Sequence, residues 1–210
     1  MAVMPMFPLG SVLLPGGILP LHVFEPRYRD MVRDCLRADG EPEFGQALIS
    51  HGWETGGGDD RVMVGTVAQM LQVDAIDENR YALVAVGTRR IRINAWLPDD
   101  PFPVADIDFW PDDPPSTVTR ADLDQAASKL EQCIELARRA GIDIGRLPEI
   151  SDEIEVGSMQ LSALAPISAF DKQRLLEAPG PDERLPMLDA ALADALELLE
   201  FRLQGPDSEA

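Results

Sequence analysis

The chain has 210 residues, of which 45% are hydrophobic, and its 37 acidic against 18 basic side chains give a formal net charge of -19. This charge argues against nucleic acid as a partner, because phosphate backbones are bound by Lys and Arg side chains that displace counterions, and it also opposes binding to anionic lipid. Every apolar run is shorter than the ~20 residues of a membrane span, and no secretory signal opens the sequence, so we expect a cytoplasmic protein.

The first 37 residues predict two strands followed by a helix. Residues 3–8 and 18–24 are apolar and are separated by a Pro-Gly-Gly turn. Pro26 suits the first turn of a helix, where its missing N–H costs nothing. The residues that follow have the spacing of one buried helical face: Tyr28, Met31, Val32, Cys35 and Leu36.

The next segment, to residue 110, predicts a series of strands. Residues 44–50, 62–73, 81–86, 89–96 and 102–110 have strand composition, and Ile91 and Ile93 alternate with Arg90 and Arg92. Residues 52–60 are a Gly-rich loop that contains Trp53. Several short strands with one early helix indicate a small, closed or nearly closed barrel.

Helical periodicity replaces strand periodicity after the polar, Pro-rich linker at residues 111–117. Helices are predicted over residues 123–141 and 154–164, from a capping box of Ser168 and Asp171 to about residue 177, and from Pro181 onward. We therefore divide the chain into a β-rich domain, residues 1–116, a helical domain, residues 117–204, and a disordered tail, residues 205–210.

Four sequence blocks carry a resemblance to a known family. They are Phe7-Pro-Leu-Gly10, Phe24-Glu-Pro-Arg-Tyr-Arg29, the pair Gly65-Thr-Val-Ala68 and Gly87-Thr-Arg-Arg-Ile-Arg92, and Asp171-Lys-Gln173. In this order and spacing the chain resembles the N-terminal, substrate-binding domain of Lon proteases, in the form of a stand-alone bacterial member that lacks the ATPase and protease domains. The resemblance spans nearly the whole sequence.

The resemblance implies an α+β fold in which a PUA-like β pseudobarrel precedes a C-terminal α-helical bundle. In Lon proteases this domain helps to engage protein substrates and supports assembly, and it carries no catalytic residue. The sequence also lacks a G-x-x-x-x-G-K-[ST] phosphate-binding loop. We expect neither enzymatic activity nor a cofactor.

The strand-to-helix junction is the best candidate site in the sequence. Glu25, Arg27, Tyr28, Arg29 and Asp30 are concentrated there, close to the free N–H groups of a helix start. The alternative is purely structural: Glu25 favours the helix N-terminus, Tyr28 packs in the core and the arginines form local pairs.

Two further surface features each leave two interpretations open. Arg29, Arg33 and Arg37 form a basic stripe, which is either a docking surface or a mixed face paired with Asp30 and Asp34. Trp53 is either a recognition aromatic or packs back on the barrel.

Metal and redox chemistry have little support. His22 and His51 have no Cys or carboxylate at metal-ligand spacing, and the pairs of consecutive Asp residues at 59–60, 99–100 and 112–113 are typical of solvated loops. Cys35 and Cys133 lie on apolar helical faces, which favours two reduced core residues over a disulfide.

The sequence therefore predicts a non-catalytic protein- or peptide-binding module, which recruits unfolded segments or a partner of the proteolysis machinery. The alternative is a small-molecule or nucleic-acid binder that uses the PUA-like barrel. The sequence does not determine the ligand or the oligomeric state.

Overall fold

The computed structural model describes residues 2–37, 39, 41–52, 58–77, 79–142 and 147–204. The described chain forms two compact units, Met1–Pro111 and Asp112–Ala210. The elements of the first unit are β1 (Ala2–Leu9), β2 (Ile18–Val23), α1 (Pro26–Arg37), β3 (Glu43–His51), β4 (Asp60–Asp77), β5 (Arg80–Leu97) and β6 (Val104–Phe109). Those of the second unit are α2 (Arg120–Arg139), α3 (Ile154–Leu164), α4 (Ala169–Glu177) and α5 (Pro181–Gln204).

The strands of the first unit close into a barrel. Their order in the sheet is β2-β5-β4-β3-β1-β6, with β1 and β3 parallel and the other pairs antiparallel. The long strand β5 pairs with β2 through residues 81–86 and with β6 through residues 91–97. Because β6 also pairs with β1, strands β1, β3, β4, β5 and β6 form a closed ring. A barrel followed by helices confirms the predicted α+β fold class.

Strand alternation gives the barrel wall two buried sides. Met6 and Val67 belong to an interior cluster with Ile91 and Ile93. Their neighbours in sequence, Phe7 and Ala68, belong to a second cluster that includes the buried face of α1. Successive side chains of a strand point to opposite faces, so one strand supplies both clusters. The second cluster is the one that positions the candidate site.

Two glycines in the resemblance blocks lie where a side chain would collide with neighbouring backbone, Gly87 against the loop over residues 10–17 and Gly65 against β3. A Cβ on Gly87 would stand 2.3 Å from the Leu14 carbonyl oxygen, and a Cβ on Gly65 would stand 2.2 Å from that of Gln46. The Gln46 Oε1 accepts a 2.9 Å hydrogen bond from the Leu13 N–H, so a buried amide holds the loop in place. These contacts give a physical reason for glycine in both blocks.

A buried arginine organises the helical unit. The Arg184 side chain is fully buried and donates to both Asp112 carboxylate oxygens at 2.6 and 2.8 Å and to the Ser158 hydroxyl at 3.0 Å. It also donates to the backbone carbonyls of Leu175 and Ala178, at the end of α4. One side chain thus joins α3, the end of α4, the start of α5 and the segment before α2.

The expected linker belongs structurally to the helical unit. The Asp182 carboxylate accepts hydrogen bonds from the backbone N–H groups of Ser116, Thr117 and Val118 at 3.0–3.1 Å. The two compact units divide at Pro111 and Asp112, so residues 112–116 pack with the helices. The tail, residues 205–210, lies outside the described residues.

The predictions for the start of α4 and for the two cysteines are confirmed. Ser168 accepts the Asp171 N–H at the start of α4, as its capping spacing predicts. Cys35 and Cys133 are buried free thiols, and burial raises the pKa of Cys35 to about 11. In the described part of the chain, no helix combines the length and hydrophobicity that crossing a bilayer requires.

Candidate functional site

A pocket of about 230 Å³ opens on the barrel unit where β2 runs into α1. Its floor and walls are mainly apolar, and Glu25 is the charged residue that reaches it. The lining residues are Phe7, Leu9, Pro20, Leu21, His22, Val23, Phe24, Glu25 and Tyr28. Phe24 stands at the rim with 59% of its surface exposed. An exposed aromatic beside an apolar pocket is suited to contact another apolar group.

Tyr28 forms the floor of this pocket because α1 begins at Pro26 and directs its third residue into the core. Tyr28 is 3% exposed, and its ring stacks on Phe7 with the centroids 4.0 Å apart and the planes 9° from parallel. Burial raises the Tyr28 pKa to about 12, against the opposing effect of the Arg27 charge. The phenol is therefore neutral at physiological pH and serves as an apolar surface.

Two charged residues of the predicted site lie beside the pocket. Arg27 Nε donates to the Glu25 carboxylate at 3.1 Å, and its guanidinium lies 4.6 Å from the centre of the Tyr28 ring. The Glu25 carbonyl accepts the Arg29 N–H at 3.1 Å, which closes the first turn of α1. The Glu25 carbonyl thus stabilises the start of α1, and the ion pair of Glu25 and Arg27 forms a polar edge of the pocket.

The other two charged residues of the predicted site contact different neighbours. Arg29 Nη1 donates to Asn79 Oδ1 at 2.5 Å, and Asp30 accepts from Arg33 at 2.9 Å. Neither Arg29 nor Asp30 lines the pocket. Their part in binding stays a prediction.

In the arginine stripe, Arg33 and Arg37 are both paired with acidic residues of α1. Arg33 binds Asp30 and also donates to the Tyr81 hydroxyl at 3.3 Å, while Arg37 lies 3.9 Å from Asp34. These contacts support a mixed, solvated face over a docking surface. Trp53, the remaining predicted site residue, lies outside the described residues.

A second polar cluster, which the sequence did not predict, joins the end of the Gly-rich loop to the β5–β6 connection. Arg61 Nε and Nη2 donate to the Asp59 carboxylate at 2.7 and 3.2 Å, and Nη1 and Nη2 donate to Asp99 at 3.1 and 2.9 Å. The guanidinium also lies 4.8 Å from the centre of the Trp96 ring. Burial raises the Asp59 pKa, but the Arg61 hydrogen bonds and charge outweigh it and lower the pKa overall.

These contacts correct the prediction that the consecutive Asp pairs are solvated loops. The first Asp of each pair, at positions 59, 99 and 112, binds an arginine, and the Asp59 side chain is only 4% exposed. Arg61 lies two residues from Asp59, a spacing visible in the sequence, whereas the partners of Asp99 and Asp112 are distant along the chain. Among the described residues, no group of three or more His, Cys, Asp or Glu side chains is placed to hold a metal ion.

Comparison with known proteins identifies the family. Residues 3–193 match the family model of the ATP-dependent protease La (LON) substrate-binding domain. The chain belongs to this family. A Lon protease of Anaeromyxobacter dehalogenans is 27% identical over 95% of the chain, and Lon protease 2 of Myxococcus xanthus is 32% identical over 50% of it. The alignments cover 24% and 13% of those two proteins, so the chain spans about a quarter or less of their length.

Solved structures of the family share the fold. The Lon N-terminal domain protein from Xanthomonas campestris has a TM-score of 0.63 and 28% identity, covering 90% of this chain and 98% of that one. The N-terminal domain of the Mycobacterium avium complex Lon protease has a TM-score of 0.60 at 20% identity, with coverage of 92% and 99%. The second likeness concerns the fold alone.

Proposed function

We propose that this protein is a non-catalytic polypeptide-binding module that holds unfolded segments in the pocket between β1, β2 and α1. Membership of a family described as the substrate-binding domain of an ATP-dependent protease is the observation that carries the proposal. The substrates of a protease are polypeptides, and unfolded segments expose the apolar side chains that folded proteins bury.

The chemistry of the pocket supports this choice of ligand. Phe7, Leu9 and Tyr28 present an apolar floor, and the exposed Phe24 and Pro20 extend it to the surface. An apolar side chain of an unfolded segment gains about 25 cal/mol for each Å² that it removes from water here. Ordering the segment costs conformational entropy, so we expect modest, micromolar affinity.

The charge of the chain selects among such segments. With 37 acidic and 18 basic side chains, the protein attracts segments rich in Lys and Arg and repels nucleic acid. In a cell the module would deliver such segments to the proteolysis machinery, or would recruit a partner of that machinery by the same contacts.

Replacing the rim aromatic tests the proposal. Reduced, carboxamidomethylated lysozyme, a basic chain whose blocked thiols carry no added charge, serves as the unfolded probe, and fluorescence anisotropy gives the Kd. We expect Phe24→Ser to weaken binding about tenfold, since it removes one apolar side chain from the contact surface. The matched control is Phe170→Ser, because Phe170 is an exposed phenylalanine of the helical unit, 70% exposed.

The control must bind as the parent protein does. Equal affinity of Phe24→Ser and the parent would contradict the proposed site. Absence of binding by the parent protein at several hundred micromolar would contradict the proposed function itself.

A further inference from the structure

Strand β2 has one edge that is unpaired in the described part of the chain. It pairs with β5 and with no other described strand. The Gly87 N–H donates to the Gly17 carbonyl at 2.9 Å, which fixes the phase of this antiparallel ladder. The backbone groups of residues 19, 21 and 23 therefore point toward β5, as the Gly17 carbonyl does, and those of residues 18, 20 and 22 point away from it.

The outward edge and the pocket are continuous. Pro20, His22 and Phe24 belong to the pocket lining and are exposed, while Leu21 and Val23 alternate with them and face the core cluster of Phe7 and Tyr28. A strand placed against this edge would direct every second side chain to the same side as Leu21 and Val23. Those side chains would enter the pocket.

We propose that the ligand binds as an extended strand added to the outer edge of β2, with alternate apolar side chains in the pocket and with Lys or Arg in the flanking positions. This inference rests on the proposed function and adds its geometry. Backbone hydrogen bonds tolerate varied sequences, which suits a module that takes many substrates. Basic flanks complement a chain of net charge -19.

Pro20 gives this edge a distinctive pattern of hydrogen-bonding groups. Ile18 and His22 each present an outward N–H and C=O, whereas Pro20, which has no N–H, presents only its carbonyl. One donor is thus missing from the centre of the edge. A gap of this kind also weakens edge-to-edge pairing between two copies of a chain, which keeps the edge available to a foreign segment.

Backbone N-methylation of a peptide probe tests the geometry on the unaltered protein. The probe is the acetylated and amidated heptapeptide Lys-Thr-Phe-Thr-Val-Thr-Lys, methylated at one amide nitrogen at a time. An added strand directs every second N–H to β2, so we expect methylation at alternate positions to weaken binding about tenfold and methylation at the intervening positions to leave it unchanged. Equal effects at successive positions would overturn the proposal.

Two pairs of measurements locate the edge. Pro20→Ala adds the missing donor and should tighten binding threefold to tenfold, as one additional hydrogen bond implies. His22→Pro and His22→Ala both lose the imidazole, but only His22→Pro also loses the outward N–H, so we expect His22→Pro to bind more weakly than His22→Ala by a similar factor. If His22→Pro does not fold, Pro20→Ala and the methylation series still decide the question. No change in affinity for Pro20→Ala would overturn the assignment to β2.

The outcomes separate this inference from the proposed function. A heptapeptide that binds without alternation, or that binds equally when both Lys residues are replaced by Glu, overturns the strand addition or its charge preference and leaves peptide binding intact. Failure of both this peptide and the unfolded protein to bind contradicts the proposed function. Formation of a dimer that the peptide does not dissociate would assign the edge to a second copy and overturn the proposal.

Discussion

The two units of this protein attach their loops and segments through different buried groups. In the barrel unit, which also buries Arg90, the neutral Gln46 and Thr66 bind the backbone of the loop before β2, at Leu13. In the helical unit, a fully buried guanidinium, that of Arg184, binds a carboxylate, a hydroxyl and two carbonyls. Neutral groups need one partner each, whereas a buried charge must be fully neutralised and hydrogen-bonded. The helical unit therefore depends more heavily on a single side chain.

Removing that side chain should have the largest effect. We expect Arg184→Met to destabilise the helical unit by about 3–5 kcal/mol, because it removes the buried cation that binds Asp112 and that donates to two carbonyls at the end of α4. Urea unfolding followed by circular dichroism measures the loss, and amide hydrogen exchange locates it. The control Arg174→Met replaces an exposed arginine of the same unit. Equal stability of the two variants would show that the buried arginine is dispensable.

A substitution that crowds the loop over residues 10–17 should reduce stability less than the loss of Arg184 does. Gly87→Ala places a Cβ against the Leu14 carbonyl and 3.1 Å from Leu13 Cγ, so we expect a loss of about 1–3 kcal/mol. Amide exchange should accelerate in β5 and in residues 10–17 and stay unchanged in α2 to α5. Spread of the effect into the helices would mean that the two units do not unfold independently.

The sequence predicts the local structure of this protein but not the long-range contacts that these two substitutions test. Strands and helices follow from local patterns: the alternation around Ile91 and the capping spacing of Ser168 each depend on a few consecutive residues. The partners of Gln46 and Arg184 are set by the tertiary fold, 33 and 72 residues away along the chain. Sequence periodicity does not encode contacts between residues so far apart. The sequence therefore does not show that the expected linker is hydrogen-bonded to the helical unit.

The candidate site was likewise predictable from the sequence only in part. The junction of β2 and α1 was identified from Pro26 and the charges around it, and Glu25 and Tyr28 do reach the pocket. The sequence does not reveal the apolar lining, because Phe24 and Leu21 have the composition of an ordinary strand and the floor residue Phe7 comes from a different strand. A cluster of charged residues is recognisable in the sequence itself, whereas an apolar pocket forms only when the fold brings distant strands together.

The smallest expected effect is electrostatic and depends on pH. The hydrogen bonds from Ser116 and from the backbone of Val118 and Thr117 lower the pKa of Asp182 below its usual 3.8. A carboxyl whose pKa is lower in the folded state contributes stability above its unfolded pKa, and that contribution is lost as the pH falls through the folded value. We therefore expect the difference in stability between the parent and Asp182→Asn to be constant from pH 7 to about pH 5 and to shrink as the pH falls below about 4.

Urea midpoints of the helical unit, measured for both proteins at pH 7, 5, 4 and 3, give this difference directly. Asp189→Asn is the matched control on the same helix, since the Asp189 carboxylate accepts from the side chains of Lys129 at 2.7 Å and Gln125 at 3.2 Å rather than from a run of backbone N–H groups. A parent-to-variant difference that stays constant down to pH 3 would show that the charge of Asp182 does not hold the segment. Packing and neutral hydrogen bonds would then hold residues 116–118 against α5. Arg184 would be the charged group that distinguishes the helical unit from the barrel unit.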